Sequence, residues 1–146
     1  MLAVGLCAYG MSGKVFHAPL ITAEPGMRLA AVVERSGNQA KQDYPHITHY
    51  TAFEELLADP TIDVIVVNTP NAHHYGMARA ALEAGKHVVV EKPFTLSLEE
   101  GDALIRLARE KNRVLSVFHN KRLESDHLMV QQVVASGELG RIVEVE

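Results

Sequence analysis

The chain has 146 residues, 47% of them hydrophobic and 22% charged, which suits one packed domain of ordinary globular composition. A net charge of -4, with no block rich in lysine or arginine, excludes nucleic acid and anionic membrane as main partners. No apolar run approaches the ~20 residues that cross a bilayer. Cys7 is the single cysteine, so no internal disulfide can form, and its place in an apolar run marks it as a buried residue of a reducing, cytoplasmic setting.

Taken in chain order, Leu2 to Ala8 is apolar and ends at glycine, as a buried parallel strand does. Gly13 to about Glu24 follows as a helix stopped by Pro25-Gly26, with Pro19 predicting a kink or a late start. Arg28 to Val33 is a second strand, and Ser36 is the expected cap of a helix running to Tyr44. Ile47 to Tyr50 is a short third strand. Thr51 with Glu54 reads as a capping box for a helix ending near Asp59-Pro60.

Asp63 to Asn68 is the clearest buried strand, and a helix from Asn71 or Ala72 to Ala84 stops at Gly85. His87 to Val90 is the fifth strand. Ser97 with Glu100 opens a long helix to Asn112, and Val114 to Phe118 is the sixth strand. Asp126 to Ser136 reads as a helix, and the alternation from Arg141 to Glu146 as a seventh strand.

Strand-helix alternation predicts an α/β fold, a doubly wound parallel Rossmann-type sheet of about six strands with helices on both faces. The seventh strand does not fit that sheet. It is expected to begin a second domain, giving a dinucleotide-binding unit over residues 1–120 and a connecting helix and first strand over 121–146.

The chemistry gathers at strand ends. Ala8-Tyr9-Gly10-Met11-Ser12-Gly13 is an A-x-G-x-x-G version of the dinucleotide fingerprint G-x-G-x-x-G. Gly10 lets backbone approach a pyrophosphate, Gly13 permits close helix-strand contact, and the helix N-terminus favours phosphate. Ala8 is tolerable if its φ stays negative.

At the end of the second strand, Glu34 can accept the ribose hydroxyls of NAD, while Arg35 and Ser36 suit the 2′-phosphate of NADP; both cofactors stay open. Asn68, Thr69, Pro70 and Asn71 follow the fourth strand, with His73 just beyond. Asn68 and Thr69 can reach a cofactor, Asn71 can simply cap a helix, and His73 and His74 can simply be surface histidines. On a helix those two adjacent histidines point about 100° apart, so no shared metal is expected. Glu91-Lys92-Pro93 ends the fifth strand, where open α/β sheets bind ligands, and Lys92 is the candidate catalytic group.

These pieces together resemble the Gfo/Idh/MocA family of NAD(P)-dependent oxidoreductases. The resemblance rests on the glycine turn, Thr69-Pro70-Asn71 with His73, Ala84-Gly85-Lys86-His87-Val88, Glu91-Lys92-Pro93 and Ser136-Gly137-Glu138-Leu139-Gly140. Phe118-His119-Asn120-Lys121-Arg122 resembles the scyllo-inositol dehydrogenase-like subgroup, and Leu123 departs from the tryptophan usual there.

The resemblance implies a two-domain enzyme acting on a sugar or cyclitol hydroxyl or carbonyl, commonly as a homo-oligomer. It implies that Lys92 is catalytic, that Glu91, Pro93 and Asn120 join Ala8, Gly10, Met11, Ser12, Gly13 and the other strand-end residues in binding NAD or NADP, and that partners of the lysine lie in a second domain. On that reading these residues alone bind cofactor without turnover, and self-association through the C-terminal strand is expected. A non-catalytic NAD(P)(H) sensor is the competing reading. A flavodoxin-like signalling domain is disfavoured by the glycine turn and by Glu34.

Overall fold

The computed structural model describes residues 1–144. The six expected strands form at Leu2–Leu6 (β1), Met27–Val33 (β2), Thr48–Tyr50 (β3), Val64–Val67 (β4), His87–Glu91 (β5) and Leu115–Phe118 (β6). All pair in parallel, in the order β3-β2-β1-β4-β5-β6. The helices between them are α1 (Ala18–Ala23), α2 (Gln39–Asp43), α3 (Phe53–Ala58), α4 (His74–Glu83) and α5 (Leu98–Glu110), with α6 (Ser125–Ser136) after β6.

Side-chain alternation along β4 divides the core into two layers. Val64 and Val66 join Val4, Leu6, Leu29 and Val32 under Ala18 and Ile21 of α1 and Ala40 of α2. Ile65 and Val67 join Val88 and Val90 under Leu56 of α3, Ala78, Ala81 and Leu82 of α4, and Leu104 of α5. The sheet is therefore doubly wound. Strand order reverses between β1 and β4, so the connections leaving those strands diverge to opposite faces and open a crevice at their carboxyl ends.

Several local expectations are corrected. The first helix is the exception, since the late start expected of Pro19 is observed: the regular α-helix, α1, begins at Ala18 with Pro19 in its first turn. A π-helical turn, Gly13–His17, precedes α1, with the Ala18 N–H bonded to the Gly13 carbonyl. The widened turn absorbs a proline whose ring would crowd the carbonyl four residues back. Ser36 does not cap α2. That helix starts later, at Gln39, and the Asn38 side chain caps no backbone N–H; the Glu34 carboxylate accepts the Gln39 and Ala40 N–H groups instead.

The box at α3 is shifted by one residue. Glu55, not Glu54, reaches back to the Thr51 and Ala52 N–H groups at 3.0 and 2.9 Å. Asn71 makes no cap bond either: it opens a short 3-10 turn, Asn71–His73, ahead of α4. At α5 the reading holds, with Ser97 Oγ accepting the Glu100 N–H at 3.3 Å.

The strand expected over Arg141–Glu146 is not seen in its described part: residues 141–144 carry no strand, and Val145 and Glu146 lie outside the described residues. A strand needs a neighbour for its N–H and C=O groups, and the sheet ends at β6.

Truncating Leu104, fully buried beneath the sheet, should cost about 2–5 kcal/mol in urea unfolding of Leu104→Ala. Leu98→Ala, at an exposed position of the same helix, should stay within about 0.5 kcal/mol. Equal losses would contradict this placement of the core.

Candidate functional site

The crevice floor is fixed by one side chain. Asn68, just after β4, is buried; its Oδ1 accepts the Ala8 N–H at 3.0 Å and its Nδ2 donates to the Ala8 carbonyl at 2.9 Å. Gly13 packs onto that pair, since a Cβ there would stand 2.5 Å from the Ala8 oxygen and 2.9 Å from Asn68 Nδ2. Gly10 is the converse case: a Cβ there would meet no described atom within 4 Å, so its bare backbone faces open space. Ala8 fits the turn because among the described non-glycine residues only Asn112 has a positive φ.

The Lys14 N–H closes the first helical bond, onto the Gly10 carbonyl at 2.9 Å. The N–H groups of Met11, Ser12 and Gly13 are left ahead of the helical ladder, the arrangement that binds a phosphate. The close approach at Gly13 and the open cradle at Gly10 fit a dinucleotide.

Two clefts lie along this edge and meet at Thr69, which lines both. The first, about 590 Å³, covers the ends of β1 and β2 and is lined by Ala8, Gly10, Glu34, Arg35, Pro70 and His73 among others. The second, about 440 Å³, runs from β4 toward β6 and is lined by Met11, Ser12, Asn68, Glu91, Lys92 and Asn120, with Phe16, Phe118 and Lys121. Most residues selected from the sequence are thus brought to one edge. Asn71 and Pro93 are exposed and line neither cleft, and Gly13 lies beneath the turn.

Lys92 is exposed in the second cleft, and its backbone N–H donates to Glu91 Oε2 at 3.1 Å. Glu91 itself is buried and faces inward, its Oε1 taking a hydrogen bond from His17 Nε2 at 2.9 Å. Burial holds His17 below the ordinary histidine range, although Glu91 pulls the other way. His17 also stacks at a tilt on Phe118, with ring centroids 4.3 Å apart. The turn that begins at Gly13 is thereby tied to the strand that ends at Glu91, just before Lys92.

Nothing in the sequence marks His17, because the π-helical turn that aims it at β5 leaves no periodic signal. His74 corrects the surface reading of the histidine pair. It is fully buried, with Nδ1 2.9 Å from the Pro93 carbonyl and Nε2 2.9 Å from the Thr69 carbonyl, so one ring ties together the loops after β4 and β5. The signal was present in the spacing of His74, Ala78, Ala81 and Leu82, which form the buried face of α4. Of the two, His73 is the exposed one.

The family model described as an oxidoreductase family with an NAD-binding Rossmann fold matches residues 2–119. The chain belongs to this family, GFO_IDH_MocA. It is 47% identical over 145 residues to the Escherichia coli protein named uncharacterized oxidoreductase YdgJ, covering 99% of this chain and 42% of that protein. It is 38% identical over 138 residues to scyllo-inositol 2-dehydrogenase (NADP(+)) IolW of Bacillus subtilis, covering 94% of this chain and 38% of that protein. A solved structure from Bacteroides fragilis superposes with a TM-score of 0.93 at 50% identity, over 98% of this chain and 42% of that one. The chain therefore spans about two-fifths of the length of these relatives.

Some residues that carry the family resemblance have structural roles. Lys86 is buried at the opposite edge of the sheet, its Nζ donating to the carbonyls of Asp59 and Ile62 at 2.7 and 2.8 Å. His87 Nδ1 accepts the Val114 N–H at 3.0 Å. Cys7 is buried, and burial pushes its thiol well above the usual range, so it is no nucleophile.

The lowered His17 makes stability depend on pH. Below about pH 6.5 the unfolded histidine takes up a proton while the folded one stays neutral, so folding stability falls as pH drops through that point. The stability advantage of the native chain over His17→Asn, measured by urea unfolding, should shrink between pH 7 and pH 5. An advantage that stays constant or grows on acidification would contradict this reading.

Proposed function

We propose that this chain is the cofactor-binding domain of an NAD(P)-dependent dehydrogenase of the EC 1.1.1 type, acting on a sugar or cyclitol, with Lys92 as its catalytic residue. The observation that carries the reading is the placement of Lys92 in the cleft next to the glycine turn, on the edge where strand order reverses. IolW, whose name gives an inositol substrate, supports the substrate class.

On this reading Gly10, Met11, Ser12 and Gly13 hold the pyrophosphate through backbone N–H groups. The first cleft, with Ala8, Arg35, Pro70 and His73 along it, receives the adenosine half. Thr69, Asn120 and the backbone at Glu91-Lys92 border the nicotinamide half, and Pro93, which lines neither cleft, ends the strand behind them. Asn68 and Glu91 support the site from behind, because their polar atoms already bond to Ala8 and to His17 and the Lys92 N–H. Asn71, which lines neither cleft, sets the entry to α4.

The bound cofactor supplies hydride exchange with the substrate carbon. Lys92 Nζ handles the matching proton: as the neutral amine it accepts the substrate hydroxyl proton on oxidation, and as the ammonium it returns it on reduction. Charge on the substrate oxygen is stabilised by the same group.

The reading extends to the domain division at residue 120. Helix α6 contains no buried residue, and its Leu128, Met129, Val130, Val133 and Val134 are exposed. Such a surface fits a segment that packs against a second, substrate-covering domain or a second subunit. A cytoplasmic enzyme is consistent with the buried free thiol.

In the complete polypeptide, Lys92→Ala should lower kcat for polyol oxidation by about 10²–10⁴-fold with little change in cofactor affinity. Residues 1–146 alone should bind cofactor without turnover. An unimpaired Lys92→Ala enzyme, or full turnover by residues 1–146, would overturn the reading.

A further inference from the structure

No side-chain partner aims Lys92. Among the described residues it forms no ion pair, and it is exposed in the second cleft. A flexible lysine stem is placed only as well as the backbone it leaves, and small misplacements of a reacting group are costly. That backbone is held by the preceding side chain, since Glu91 Oε2 accepts the Lys92 N–H at 3.1 Å. Glu91 has one further partner among the described residues: His17 Nε2 donates to its Oε1 at 2.9 Å.

His17 is only 3% exposed. Packing alone would be served as well by leucine, because burial penalises the polar nitrogens of a ring unless they are bonded. The chain reaches this contact through the π-helical turn Gly13–His17. One extra residue in a turn rotates the side chains beyond it by about 100°, and such turns gather at functional sites. The ring also stacks on Phe118, with centroids 4.3 Å apart, and Phe118 lines the second cleft together with Glu91 and Lys92. His17 thus braces the ends of β5 and β6 from behind the cleft wall, without lining the cleft itself.

We propose that His17 is a positioning residue for Lys92: through Glu91 it fixes the strand end from which the lysine amine meets the substrate oxygen. The inference rests on the reading of the chain as a dehydrogenase domain with Lys92 as its catalytic residue. Four variants separate positioning from packing. His17→Asn is too short to reach Glu91, and His17→Leu fills the space without a donor. His17→Gln carries an amide N–H to about the place of Nε2. Leu104→Ala lowers stability at a core position away from both clefts.

The complete polypeptide is assayed with NAD+ and NADP+ on a panel of inositols, alditols and aldoses. His17→Asn and His17→Leu should lower kcat by about 10–10²-fold, with substrate KM and cofactor Kd within about twofold of the native values. His17→Gln should recover most of that loss, and Leu104→Ala should keep its kcat per folded molecule. In a Lys92→Ala background His17→Asn should change kcat by less than about twofold, because a residue that acts through Lys92 then has nothing left to position. In the isotopically labelled 146-residue chain, the Lys92 amide should exchange with solvent faster in His17→Asn than in the native chain or in Leu104→Ala, and His17→Gln should restore its protection. An unchanged kcat, a loss confined to KM, equal losses with and without Lys92, no recovery in His17→Gln, or a Lys92 amide indifferent to His17 would overturn the proposal. An unimpaired Lys92→Ala enzyme, or no turnover of any member of the panel by the native enzyme, would instead overturn the dehydrogenase reading beneath it.

Discussion

The pair of hydrogen bonds between the Asn68 carboxamide and the Ala8 backbone is the constraint on which the site depends. Asn68 follows β4 and Ala8 follows β1, so the pair bridges the two strands whose connections part to opposite faces. Both polar ends of one buried amide are used, which leaves the turn little freedom. Gly13 then rests on the bonded atoms at a distance no side chain allows. The start of the first helix is set by that contact, and with it the direction of the N–H groups that precede the helical ladder.

From this point order passes to the rest of the edge through buried histidines. His17, one helical turn beyond Gly13, bonds to Glu91, whose other oxygen holds the Lys92 N–H. His74 ties the Thr69 and Pro93 carbonyls. The loops after β1, β4 and β5 are therefore linked by polar groups that are themselves withdrawn from solvent. Links of this kind favour a pre-organised crevice: each partner left unpaired in the interior would cost about 1–3 kcal/mol. Lys92 projects from a braced strand end, although its own side chain is exposed.

How much of this was legible follows from where each signal originates. The strands were readable because a buried parallel strand must be apolar throughout, as Val64 to Val67 is. Their parallel pairing followed from alternation with helices. Helix ends were less legible, because capping is decided by geometry within one residue: Glu55 took the role assigned to Glu54, and Glu34 the role assigned to Ser36. His74 belongs to the buried face of α4 by its helical period with Ala78, Ala81 and Leu82, a signal that its adjacency to the exposed His73 masks. Asn68 and Glu91 were placed at the correct edge, but one sequence cannot show that a polar side chain turns inward to bond to backbone. The alternation from Arg141 suggested a strand, and alternation alone supplies no pairing partner.

The account centres on one edge of one sheet receiving a dinucleotide. An amide-resolved NMR titration of the isotopically labelled chain with NADP+ tests that most directly. The account predicts shifts confined to residues Gly10 to Lys14, Arg35 and Ser36, Thr69 and Glu91 to Lys92, with Gly26, Asp63 and Lys86 at the opposite edge unchanged. Shifts centred on that opposite edge, or none at saturating cofactor, would contradict it.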